Sequence, residues 1–367
     1  MSRLRRKMFI LLFIFIIIVS MFIMAAFLNS PGRLTPLKDT QGNIIPGSVS
    51  EKVWIDINGI KQGMFIRGQD IQNPVLLYLH GGPGTPLFQF ISYLEKEERL
   101  ERYFTVCYWD QRGAGMTYDK STDPTTMTVD QLVEDTREVT EYLKSRFGQN
   151  KIYLLGHSWG SYLGVKTIEK YPENYLAYIG IGQVSNQKES ERLAYQYILS
   201  RAKQMNDKDV IEKLEIYDPY ADDFPQLDYL VKGRTAILNK YGIGHLHQGV
   251  TSWDILKSLF VFKGYTVTEK INWFLGADFS MIHLFPGLLE DDLFLSSVKF
   301  EVPFYITQGA HDYMVSQVLA EKYAEACEAP KKEFILFEDS AHSPNMEEPE
   351  KFIEVMRRIA LENPLEE

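Results

Sequence analysis

Cysteine is scarce. Cys107 and Cys327 are the only two in 367 residues, which excludes a disulfide-stapled scaffold. Positive charge is also short, with 39 Lys and Arg against 49 Asp and Glu, a formal net charge of -10. Four of those basic residues, Arg3, Arg5, Arg6 and Lys7, stand at the extreme N-terminus, and no acid precedes Asp39. The rest of the chain is therefore more acidic still. Phosphate backbones demand a basic surface, so nucleic acid is excluded as a partner. Internal repeats and low-complexity tracts are absent. With 45% hydrophobic and 24% charged residues, the composition is that of a folded globular chain.

Charge is missing altogether from Met8 to Leu28, where Ser20 is the only polar residue. About 20 apolar residues in a helix cross a bilayer, and a helix satisfies its own backbone there. The basic cluster before the run places the N-terminus on the cytoplasmic side and the remainder outside. Residues 1–28 are accordingly read as an uncleaved membrane anchor. A cleaved signal peptide, giving a secreted protein, is the alternative. It is the weaker one, because the apolar run is long and Met24 spoils the small-x-small cleavage pattern. Residues 29–50, with three prolines and three glycines, read as a linker.

Beyond the linker, strand and helix patterns alternate. Val53–Ile57 and Gly63–Ile66 suggest a hairpin about Asn58-Gly59. Val75–Leu79, Phe104–Trp109, Ile152–Leu155 and Tyr175–Ile181 are short apolar runs of the kind buried on both faces. Thr128 with Gln131 forms a capping-box pattern ahead of a helix to about Phe147. From residue 183 to 297 helical patterns dominate. Alternation returns at Val302–Thr307 and continues with Glu333–Phe337 and a last helix. The expected architecture is α/β, a mostly parallel sheet built from residues 51–182 and 298–367. A helical cap, 183–297, is inserted over the carboxyl ends of the strands, where open sheets bind ligands.

Gly156-His-Ser158-Trp-Gly160 lies between a strand and a helix, the context of a nucleophile elbow. The turn must project the Ser158 hydroxyl above the sheet, and the glycines leave it room. The N–H of Trp159 then faces the reacting carbonyl. His80-Gly-Gly-Pro-Gly84 follows a strand and can supply a second donor, Gly82 first and Gly81 next, so that Gly82 and Trp159 form an oxyanion hole. His80 itself reads as a turn-stabilising hydrogen bonder. The acid and the base come later in the chain. Asp312 follows the strand 302–307, and His342 follows the strand 333–337. Ser158 would attack, His342 carry the proton, and Asp312 orient the imidazole. Asp339 stands too close to His342 in sequence to turn onto its ring, and His311 reads as a loop residue. His245-x-His247 lacks accompanying ligands, so no metal and no cofactor is expected. Cys107 and Cys327 read as separate thiols.

Together with Asp110-Gln-Arg-Gly-Ala-Gly115, Gly309-x-x-Asp312 and Ala341-His342-Ser343, these motifs resemble the α/β-hydrolase superfamily. More narrowly they resemble its proline iminopeptidase-like serine aminopeptidases. The resemblance covers about 53–182 and 302–359 and implies an acyl-enzyme mechanism on short peptides. It also implies that Arg112 is structural. The cap departs from the family pattern, because 183–191 lacks the tryptophan-glutamate signature. Glu189 and Glu191 are the candidates for holding a substrate's ammonium group, with Asp222 and Asp223 next. The alternative function is an esterase or amidase acting on a small non-peptide substrate. A non-catalytic binding module fits poorly with a complete set of catalytic residues, and a dehalogenase would need a carboxylate where Ser158 stands.

Overall fold

The computed structural model describes residues 3–94, 99–230, 234–247 and 252–365, apart from some side chains of the N-terminal helix. Helix α1 (Arg3–Leu28) leads to the strands β1 (Val49–Ile57), β2 (Ile60–Gly68) and β3 (Val75–Leu79). Then follow α2 (Phe88–Leu94), β4 (Thr105–Trp109), α3 (Val129–Phe147), β5 (Ile152–His157), α4 (Trp159–Lys170) and β6 (Tyr175–Ile181). The cap carries α5 (Gln187–Met205), α6 (Lys208–Leu214), α7 (Leu227–Tyr229), α8 (Thr235–Lys240), α9 (Ser252–Val261), α10 (Val267–Glu290) and α11 (Leu293–Ser296). The chain closes with β7 (Phe304–Gly309), α12 (Gln317–Ala326), β8 (Lys332–Phe337), α13 (Pro344–Glu347) and α14 (Pro349–Glu362).

One eight-stranded sheet runs in the order β1-β2-β4-β3-β5-β6-β7-β8. β1 and β2 form an antiparallel hairpin, β2 joins β4 antiparallel, and every later pairing is parallel. The hairpin turns through Asn58 (φ 45°) and Gly59 (φ 83°), the double positive φ that a two-residue turn between twisted strands requires. β3 to β6 are buried along their whole length, because helices cover both faces and leave no polar side to alternate. Two apolar clusters, one on each face, hold the sheet, while a third lies within the cap around Tyr195, Phe224 and Leu238.

Two local expectations need adjustment. The hairpin strands are longer than their apolar pattern, since edge strands pair through their backbone whatever side chains they carry. Thr128 caps α3 by accepting from the Gln131 N–H at 3.2 Å, but the Gln131 side chain goes to Asp135 at 2.9 Å instead of returning to the cap. Among the described residues, no helix is long and apolar enough to cross a membrane, so the anchor expected of residues 1–28 draws its support from the sequence alone. No group of His, Cys, Asp and Glu there could hold a metal ion, and both cysteines are buried free thiols.

Candidate active site

β5 ends at His157 and α4 begins at Trp159, so Ser158 alone makes the turn between them. Its φ of 56° and ψ of -121° are rare for a residue with a side chain. Such strain costs about 1–3 kcal/mol and persists only where neighbours enforce it. The Ser158 N–H donates to the Ile181 carbonyl at 2.8 Å. Its own carbonyl accepts from the Ser161 hydroxyl at 2.6 Å. The flanking glycines are obligatory: a Cβ on Gly156 would stand 2.2 Å from the Gly160 oxygen, and one on Gly160 2.1 Å from the Leu79 oxygen.

The loop after β7 carries Asp312 and the loop after β8 carries His342, and the two side chains meet. His342 Nδ1 donates to Asp312 Oδ2 at 2.8 Å. The same oxygen accepts from Gln308 Nε2 at 2.7 Å, while Oδ1 accepts from the N–H groups of Met314 (2.9 Å) and Val315 (3.0 Å). Four donors thus converge on one buried carboxyl group and fix its orientation. With the proton on Nδ1, Nε2 is left as the basic nitrogen. Cap and core meet at this base, because the His342 N–H donates to the Gly244 carbonyl at 3.2 Å.

Ser158, Gly81, Gly82, Trp159 and His342 all line one cavity of about 180 Å³. Gly82 adopts a φ of 114°, where a Cβ would crowd the N–H groups of Gly84 and Thr85 at 2.8 Å. His80 stabilises this turn: its ring bonds the Gly81 carbonyl at 2.9 Å and accepts the Gln111 N–H at 3.2 Å. Burial lowers its pKa to about 4, which keeps it neutral. The 110–115 loop braces the site from beneath. Gln111 Oε1 accepts from the Trp159 indole at 3.1 Å. Arg112 forms a buried fork with Asp135, at 2.7 and 3.1 Å. Burial raises Asp110 to about 7, partly opposed by hydrogen bonds from the Met116 N–H and the Tyr265 hydroxyl.

The remaining candidates lie elsewhere. Asp339 does not reach the imidazole; its N–H donates to Glu348 at 3.2 Å. His311 stacks on His247 with ring centres 3.7 Å apart. Glu189 is half-buried on the first turn of α5 and pairs with Arg192 at 3.4 Å. Glu191 is fully buried, where Arg234 grips both its oxygens and Gln187 Nε2 donates to it at 2.8 Å. Arg234 and Gln187, not the acid itself, form part of the cavity wall.

Sequence reasoning did not single out Gln308 or Arg234, and it weighed His245 only as a metal ligand before setting it aside. Gln308 holds Asp312 and also accepts the Gln183 N–H at 3.0 Å. Its only signal was position, at the end of β7 four residues before the acid. His245 lines the cavity with its ring 6.3 Å from that of His342. Burial, together with the neighbouring His342 ring and the Arg234 charge, lowers its pKa to about 3.

The model of the α/β-hydrolase fold family matches residues 74–216. The chain is 36% identical over 309 residues to a probable aminopeptidase, YbaC, of Bacillus subtilis, covering 83% of this chain and 95% of the relative. The chain belongs to this α/β-hydrolase family of aminopeptidases. A proline iminopeptidase of Saccharolobus solfataricus is 26% identical over 304 residues, 78% of this chain and 84% of its own. Among solved structures, a proline iminopeptidase of Mycobacterium smegmatis has the same fold, with a TM-score of 0.59 and 16% identity across 85% of this chain and 98% of its own.

Proposed function

We propose that this member of the family is a serine aminopeptidase that releases the N-terminal residue of short peptides through an acyl-enzyme intermediate. The observation that carries the reading is the strained Ser158 elbow sharing one cavity with His342, whose ring is bonded to the buried Asp312. Ser158 Oγ attacks the scissile carbonyl carbon while His342 Nε2 takes its proton. The negative charge that develops on the carbonyl oxygen is stabilised by the N–H groups of Gly82 and Trp159. When the C–N bond breaks, His342 returns that proton to the leaving amine. Water then attacks the acyl carbon by the reverse of this path and frees Ser158. Asp312 keeps the imidazole in its Nδ1–H tautomer and stabilises the imidazolium. No cofactor is required.

The cavity is closed by α10 residues Met281, Phe285 and Leu288 together with Leu230 and Met314. This suits a small apolar N-terminal side chain. Glu191 is the better placed of the two acids assigned to the substrate's ammonium group, because its partners Gln187 and Arg234 face the cavity. An esterase or amidase on a small non-peptide substrate is the second reading, favoured by Arg234, which already neutralises that acid. A fluorophosphonate probe should label Ser158 alone, and the Ser158→Ala variant should lose several powers of ten in activity. Free aminoacyl anilides should turn over and their N-acetylated forms should not; equal rates would favour the second reading.

We further infer that residues 1–28 anchor the protein in the cell membrane, with the catalytic domain on the outer side. The uncharged run from Met8 to Leu28 behind four basic residues supports this. A secreted form after cleavage is the alternative.

A further inference from the structure

The chain emerging from α1 is tied to the cap at the corner between α9 and α10. Lys270 Nζ donates to the Asn29 carbonyl at 2.9 Å and to the Phe260 carbonyl at 2.6 Å. The Arg33 N–H donates to the Lys263 carbonyl at 3.1 Å, and Pro31 forms a strand-like bridge with Thr266. The end of α1 therefore sits within a few residues of both cap helices.

The outer surface of that corner is unusual for so acidic a chain. Among the described residues from 253 to 277, every exposed side chain is apolar, a lysine or Thr268. Trp253 (70% exposed), Leu256 (44%) and Val261 (39%) lie along one stripe of α9 with Lys257. Ile271 (55%), Phe274 (44%) and Leu275 (48%) form the matching stripe of α10. At 1.5 Å rise per residue, Ile271 to Leu275 lie within about 8 Å, along the axis, of the lysine that holds Asn29. Contiguous apolar surface of this kind is costly to leave in water.

We propose that this α9–α10 face is seated in the headgroup region of the lipid bilayer that α1 enters. The inference rests on the reading of α1 as an anchor. Its own support is continuity: the apolar stripes begin where the anchor ends. The composition suits that depth, since tryptophan and phenylalanine favour the interface. Lysines beside them meet lipid phosphates, while the acids at the corner, Asp254 and Glu269, are only partly exposed and the exposed Asp278 bounds the patch about one turn beyond Leu275. The consequence reaches the catalytic cavity, because the inner side of α10 supplies Met281, Phe285 and Leu288 to its wall. The membrane-facing helix is thus also a cavity wall, and substrates are met at the bilayer surface.

The test uses the full chain reconstituted into vesicles of phosphatidylcholine and phosphatidylglycerol in equal parts. Trp253→Cys, Phe274→Cys and Leu275→Cys are compared with Ile216→Cys and Leu361→Cys, whose positions are 73% and 81% exposed. The native thiols are both buried, so a membrane-impermeant maleimide reads the new thiol. The three α9–α10 positions should label about tenfold more slowly in vesicles than in detergent, with the controls unchanged. Vesicle-bound protein whose α9–α10 thiols label like the controls would overturn this inference and leave the anchor reading standing. Protein that fails to float with the vesicles would overturn both. Protection that persists in detergent and grows with protein concentration would assign the face to a second copy of the chain and refute the lipid assignment.

Discussion

Replacing Gly182 by alanine tests whether the position of His342 controls the chemistry. Gly182 follows β6 with a φ of 56°, and a Cβ there would lie 2.8 Å from both Nδ1 and Cε1 of His342. Ordinary contact needs about 3.5 Å, so the ring must retreat by roughly 0.7 Å. Nδ1 is the atom that donates to Asp312 at 2.8 Å. The retreat must therefore bend that bond or carry Nε2 away from Ser158. A displacement near 1 Å in a reacting group costs on the order of 10² in rate. The positive φ adds a separate cost to folding of about 1–2 kcal/mol. Gly148 isolates the second effect, since its φ is 65° and nothing lies within 4 Å of its would-be Cβ. Gly148→Ala should lower stability with kcat intact. Gly182→Ala should lower stability by a similar amount and kcat by about 10², with KM little changed. Kinetics on an aminoacyl anilide and chemical denaturation of both variants make the comparison. If Gly182→Ala retains kcat within about threefold of Gly148→Ala, the ring position is not limiting and the argument fails.

Glu191→Gln should destabilise the fold by about 3–5 kcal/mol, because it strands the Arg234 charge in a buried site. The double variant Glu191→Gln/Arg234→Gln should recover much of that loss in urea titrations yet still discriminate poorly between free and N-acetylated substrates. Stability should fall on acidification from pH 6.5 toward 5. Burial lowers the pKa of His80 to about 4 and His245 to about 3, and holds His157 well below its usual value. The stability those neutral rings contribute is complete above about 6.5 and is lost below it. Asp110, raised to about 7, acts in the opposite sense, since its cost to the fold is relieved as pH falls. Three buried rings against one carboxyl group leave a net proton uptake on unfolding that grows as pH falls and approaches about two near pH 5, a slope of about 3 kcal/mol per pH unit there, and Asp110→Asn should steepen it by about one proton. A flat profile between pH 5 and 6.5 would refute this account. Fractionation with N-terminal sequencing should find the full-length protein on membranes, whereas a soluble chain beginning near Asn29 would identify a cleaved signal peptide.

The sheet domain was legible because its signals are local. A strand buried on both faces must be a continuous apolar run, and β3 to β6 are. A two-residue hairpin turn needs positive φ at both positions, and Asn58-Gly59 supplies them. The elbow was readable for a similar reason, since a Cβ on Gly156 or Gly160 would lie about 2 Å from a backbone oxygen. Asp312 and His342 could be named as candidates because topology sends the loops after β7 and β8 to one edge of the sheet. The residues that escaped notice act across long separations. Arg234 reaches Glu191 over 43 residues, and Gln308 touches Gln183 over 125. Gly182 crowds a histidine that arrives 160 residues later in the chain. No period or motif marks such partners, because their spacing depends on the path of the cap and the core.

The same distinction explains why chemistry and substrate are unequally readable. The reacting groups recognise only a carbonyl, so they cannot choose between an ester and an N-terminal amide. In the proposed reading that choice falls to the cap wall, where Arg234 and Gln187 stand between the cavity and the buried Glu191. A carboxylate already gripped at both oxygens by a guanidinium offers little net charge to an ammonium ion. An amine can claim it only by displacing part of the Arg234 fork or by binding through the Gln187 amide beside it. Affinity for the substrate's amine is therefore set by how firmly Arg234 is held elsewhere. Arg234 Nη2 also donates to the Met314 carbonyl at 3.2 Å, in the loop that donates two N–H groups to Asp312. If the proposed assignment holds, a substrate that shifts Arg234 acts on the segment that holds Asp312, which would link recognition of the amine to alignment of the triad.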